Sequence, residues 1–133
     1  MSDVVVTVPK TFRHPSAPGK RGLAAWIAEG DAAGEPATGI QWGFFTYGTF
    51  PRIQPGERLY VVCEGKLRGY SPLTGLRFYP RHGRIVSQGA VIFIRRGGAV
   101  PVTIAGEIIG FRGWRYRWWD RIVEVAFPDW KTP

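Results

Sequence analysis

The apolar residues of this chain come in short β-branched or aromatic runs, such as VVVTV (4–8) and AVIFI (90–94). Proline, glycine or charge interrupts them, as Pro9 and Gly89 do. Runs of this length suit strands that are half or fully buried, and none approaches the ~18–20 residues of a membrane span. The exception is GLAAWIAEG, where Leu23, Trp26 and Ile27 share one face at helical spacing. It reads as a single early helix, with Gly30 or Gly34 to close it. RHPSAPGK (13–20) reads as a loop, and DAAGEPATG (31–39) as a second loop or a frayed helical end followed by loop.

From residue 41 the pattern is all strand and turn. QWGFFTYG (41–48), RLYVVCE (58–64), LRFYP (76–80), AVIFIRR (90–96) and VPVTI (100–104) are strand candidates. Gly65 allows a tight reversal from RLYVVCE into KLRGYSPL, and Gly97–Gly98 supplies a second turn. In RIVEVAF (121–127), Val123, Val125 and Phe127 alternate onto one side. A chain of 133 residues is long enough for one domain with one core, spanning 1–133. The expectation is an α+β fold: a small, mostly antiparallel barrel of six to nine strands with helical decoration.

The charge is +8, and it is unevenly placed. Residues 1–64 hold six basic and six acidic groups, whereas 65–133 hold twelve and four. The excess is chiefly arginine, whose planar fork of donors suits phosphate, so a polyanionic partner is expected. The single cysteine, Cys63, rules out an internal disulfide and fits a cytoplasmic setting. It sits in an apolar strand and reads as a small buried hydrophobe. The stretch around Asp3 has only a brief apolar run and does not read as a signal peptide. Cys63, His14 and His82 lack metal-ligand spacing, so neither metal nor cofactor is expected. No phosphate-loop or serine-nucleophile motif occurs.

FRGWRYRWWDR (111–121) carries the strongest functional signal: four arginines and five aromatics in eleven positions. Read as a strand over 111–119, it turns Trp114, Tyr116 and Trp118 one way with Arg112, and Arg115, Arg117 and Trp119 the other. Aromatics flanked by guanidinium groups form a surface for stacked bases and phosphates. A helical reading competes, because Phe111, Trp114, Trp118, Ile122 and Val125 fall at helix-like spacing, but Gly110 and Gly113 disfavour it. In the purely structural alternative, two of the tryptophans are core, and the arginines stack on aromatics or pair with Asp120 and Glu124. A second aromatic group, WGFFTYG (42–48), offers one face to a core and another to a pocket wall.

The order of these parts resembles the PUA-like superfamily of small pseudo-barrels, which includes the ASCH, EVE and YTH domains. The likeness runs over 4–71 and is closest in the hairpin Gly56-Glu57-Arg58-Leu59-Tyr60 followed by Gly65-Lys66-Leu67-Arg68-Gly69. It implies a cleft between helix and barrel that relatives use to read RNA or a modified base. The chain departs from ASCH sequences after the helix: EGDAAGEPATGIQW lacks the lysine and arginine of their GxKxxExR-like run. The ribonuclease activity of some members is therefore not implied, and the tail from Gly110 matches none of the three.

The expected function is a binding module for RNA or a modified nucleobase, held in an aromatic, arginine-flanked cleft. The partner is RNA or DNA, as a single strand or a flipped base, and not a membrane. Trp42, Tyr47, Trp114 and Trp118 are the stacking candidates, and Lys20, Arg21, Arg68, Arg112, Arg115 and Arg117 the phosphate candidates. The alternatives are an RNA- or nucleotide-processing enzyme using His14 or His82, and a protein-interaction module.

Overall fold

Three consecutive valines make a strand that is buried on both faces. The computed structural model describes residues 3–13, 18–32, 42–47, 52, 54, 56–79, 90–95 and 100–130; in 29–32, 42–47, 74–79 and 90–95 it describes the backbone alone. Strand β1 (Val4–Thr7) lies between β3 (Arg58–Cys63), to which it runs parallel, and β7 (Trp114–Tyr116), to which it runs antiparallel. Val4, Val5 and Val6 are wholly buried, so both faces of β1 are covered. A strand enclosed on both faces reads as a continuous β-branched run, not as an alternation. Parallel neighbours need a crossover connection. Here it contains helix α1 (Gly22–Ala32) and strand β2 (Trp42–Tyr47).

β3 turns into β4 (Lys66–Tyr79) through Glu64 and Gly65, both at positive φ, as a tight two-residue hairpin requires. The first half of β4 pairs with β3 and the second with β5 (Ala90–Arg95), which in turn pairs with β2. KLRGYSPL and LRFYP are thus one long strand, with a register shift between Leu73 and Gly75 where the pairing is handed over. The six strands run in the order β2-β5-β4-β3-β1-β7, as an open sheet with β2 and β7 outermost. All its pairs except β1–β3 are antiparallel. The sheet-dominated, mainly antiparallel α+β expectation holds, while no closed barrel is seen among the described residues.

One face of the sheet presents Val4, Val6, Leu59, Val61 and Cys63 to Leu23 and Trp26 of α1. Ile27 packs beside them, so the helical face read from the sequence is the buried one. The other face presents Val5, Tyr60, Val62 and Leu67, and the chain from 100 onward closes over it with Ile108 and Trp119. This C-terminal cover includes β6 (Val102–Thr103), β8 (Val125–Ala126) and a 3₁₀ turn at Arg121–Val123. β6 pairs with β8, not with β5, and the Gly97–Gly98 turn lies outside the described residues.

Two expectations are corrected in this half. The extended segment is far shorter than 111–119, because only Trp114–Tyr116 pair with β1. The alternating strand 121–127 is not formed: Asp120 accepts a hydrogen bond from the Ile122 N–H and starts the 3₁₀ turn. Val123 and Val125 consequently point to solvent.

Candidate nucleic-acid interface

The segment 111–121 is fixed to the sheet before it can face a ligand. Asp3, just ahead of β1, has its carboxylate almost fully enclosed. The Arg58 N–H donates to Oδ1 at 2.9 Å, Arg117 Nε to Oδ2 at 2.9 Å, and Arg121 Nε and Nη2 to Oδ2 and Oδ1 at 2.9 and 2.7 Å. Burial alone would push this carboxyl up, but the hydrogen bonds from Arg58, Arg121 and Arg117 outweigh it and hold the pKa below its usual value. The same ion pair raises Arg121. Arg117 also donates to the Trp119 carbonyl.

A second anchor is Glu124. It accepts from Tyr60 Oη at 2.6 Å, Trp119 Nε1 at 2.9 Å and Arg58 Nη1 at 3.3 Å. Burial, and then the hydrogen bond to Glu124, push the Tyr60 hydroxyl up. Trp119 stands edge-on to Tyr60 at 5.1 Å and belongs to the core. The structural alternative weighed for this segment is therefore realised for Arg117, Arg121 and Trp119, with Asp3 as the carboxylate for both arginines.

What remains faces outward. Along β7, Trp114 packs toward the helix side with Tyr116 edge-on to it at 4.8 Å, while Arg115 turns to the other side. The two-residue alternation stops there. Trp118 does not rejoin Trp114; it meets Phe111 at 6.1 Å and Trp119 at 5.0 Å, both edge-to-face. Its indole is 52% exposed. The Arg115 guanidinium lies 4.5 Å from the centre of the Phe111 ring. Phe111 itself is seated on the second core face, and its N–H donates to Thr7 Oγ1 at 3.2 Å. Gly110 makes this seat possible, because a Cβ there would stand 3.1 Å from the Thr7 methyl. Arg112 is exposed, next to Gly113 at φ 71°. Among the described residues, neither Arg112 nor Arg115 has a carboxylate partner.

Phe111, Trp118 and Arg115 thus form one surface, and the exposed Arg112 follows Phe111 in the chain. The other candidates lie elsewhere. Lys20 and Arg21 are exposed ahead of α1. Trp42 and Tyr47 are the two ends of β2, the outermost strand opposite β7, and their side chains lie outside the described residues. Arg68 is wholly buried and unsuited to a surface phosphate. Val61 pairs with Gly69 and Val62 with Leu67, which leaves Arg68 as the extra residue of a bulge. Its Nε donates to the Cys63 carbonyl at 3.0 Å, and Phe127 lies 5.8 Å from its guanidinium. His14 and His82, on which an enzymatic reading rests, lie outside the described residues.

The sequence reading also missed a set of exposed aliphatics. Ile109 and Ile122 are 86% and 85% exposed, and Val123 and Val125 are more than half exposed. The apolar content of 121–125 was their signal, and it reads from sequence only as one side of an alternating strand. No group of histidine, cysteine and carboxylate side chains able to hold a metal occurs among the described residues, and none of their helices is long and apolar enough to cross a membrane. No protein-family model matches the chain, and no curated protein or solved structure matches it.

Proposed function

We propose that this chain is a nucleic-acid-binding module of PUA-like architecture, with its contact surface on the outward side of residues 109–118. One observation carries the reading: the half-exposed Trp118 is braced by Phe111, Arg115 lies over the Phe111 ring, and among the described residues neither Arg115 nor the exposed Arg112 has a carboxylate partner. Aromatic faces next to unneutralised guanidinium groups supply the two terms of nucleic-acid affinity, base stacking and phosphate charge. The hairpin that carries the family likeness is formed as β3–β4, and helix α1 packs on the sheet as the decoration of such a fold. Both support the PUA-like reading.

The test is equilibrium binding of fluorescently labelled RNA and DNA at low salt. Wild type binds, and Arg112→Ala with Arg115→Ala loses most of the affinity without loss of fold. Absence of binding to any nucleic acid at low salt overturns the proposal. A second reading, a protein-interaction module, is favoured by the exposed Ile109 and Ile122. Under it, Ile109→Ser and Ile122→Ser would abolish capture of a protein partner, and the arginine changes would leave capture intact.

A further inference from the structure

We infer that the ligand is a single strand, gripped by one unpaired base on the outer face of Trp118 and two neighbouring phosphates on Arg112 and Arg115, without base-edge readout. The inference rests on the nucleic-acid reading above and specifies its substrate class. Trp118 is held on two sides by edge contacts, to Phe111 and to Trp119. Trp119 is itself buried and tied to Glu124. The exposed indole is therefore pre-positioned, and little side-chain freedom is lost when a base stacks on it. Only a base whose face is open can use it. In a duplex the faces of internal bases are stacked on their neighbours.

Arg115 is positioned in a related way. A guanidinium stacked on a ring is oriented by the ring but keeps its in-plane N–H donors directed outward, where they fit a phosphate in bidentate fashion. Arg117 and Arg121 differ, because their donors are spent on the enclosed carboxylate of Asp3. Of the four arginines in 111–121, two remain for the ligand. With the two arginines engaged by phosphate, the surface also lacks the carboxamide side chains that read adenine edges. Asparagine is missing from the whole sequence, and no glutamine falls between 100 and 130. The flanking Ile109 and Ile122 offer apolar contact alone. Stacking on an indole tolerates every base, since every base has a π-face.

Three labelled probes of equal length distinguish the outcomes: an oligothymidine, the corresponding abasic sugar–phosphate strand, and a blunt duplex. Binding is measured by fluorescence anisotropy on the full chain, with quenching of tryptophan emission as a second readout. The oligothymidine should bind roughly 5- to 150-fold more tightly than the abasic strand, the range that one stacked base contributes. Trp118→Ala should remove that advantage while leaving abasic binding unchanged, and Trp118→Phe should restore part of it. Equal affinity for the oligothymidine and the abasic strand would overturn the stacking claim while leaving nucleic-acid binding standing. Tighter binding to the duplex would overturn the single-strand claim. Failure to bind all three would remove the nucleic-acid reading itself.

Discussion

Replacing Asp3 with asparagine should loosen the whole 114–124 segment, because one carboxylate there restrains two arginines and the start of β3. Four donated hydrogen bonds converge on it, three of them from guanidinium groups. Asparagine keeps the shape but carries one acceptor oxygen and turns an NH₂ toward donors. Removing one partner of a buried ion pair costs about 3–5 kcal/mol. The released arginines are partly exposed and can reach water, which places the expected loss near the lower end, about 3 kcal/mol. For a domain of this size that corresponds to a fall of about 10 °C in Tm. The assay is thermal and urea unfolding of both proteins across a pH series. Because the folded carboxyl lies below its ordinary 3.8, its contribution is fully present above that value and is lost as pH falls through the lower folded value. Wild type should therefore show an acid-side loss that Asp3→Asn lacks, and the two should converge at low pH. A variant within ~0.5 kcal/mol of wild type at neutral pH, the range of ordinary surface changes, would refute the anchoring role of Asp3.

Other changes separate core from surface. Trp119→Ala should cost roughly 3–5 kcal/mol as a buried large aromatic, while Trp118→Ala should move stability by less than ~1 kcal/mol; calorimetry on the pair checks this. Gly69→Ala places a Cβ 2.4 Å from the Val100 carbonyl oxygen at φ 153°, so soluble yield and Tm should both fall sharply. Cys63 is buried and its thiol is pushed up by that burial, so a disulfide reagent should react slowly with native protein and promptly after denaturation.

The readable parts of the fold were local. VVVTV with Pro9, the face made by Leu23, Trp26 and Ile27, and the Glu64–Gly65 reversal each follow from neighbours within a few positions, and each forms. Pairings across long separations were not readable. Asp3 meets Arg117 and Arg121 more than a hundred positions away, and no local pattern marks it as their partner. The same applies to Phe111, whose seat depends on Thr7. Arg68 was a phosphate candidate by its charge, yet it is the extra residue of a bulge in a strand covered on both faces and is wholly buried. Val123 and Val125 share one side if 121–127 is read as an alternating strand, yet the Asp120 cap starts a 3₁₀ turn that breaks the alternation. Composition singled out 111–121 as a region dense in arginine and aromatic residues. It could not divide its arginines into those held by Asp3 and those left for a ligand.

That division is most directly tested by the salt dependence of single-strand binding. Each neutralised phosphate contributes a slope of about −0.7 to log affinity against log salt on single strands. Two available arginines, Arg112 and Arg115, predict a wild-type slope of about −1.4, and the double alanine variant should fall close to zero. A wild-type slope that is flat, or a double variant that keeps the wild-type slope, would contradict the assignment of this surface to a nucleic acid.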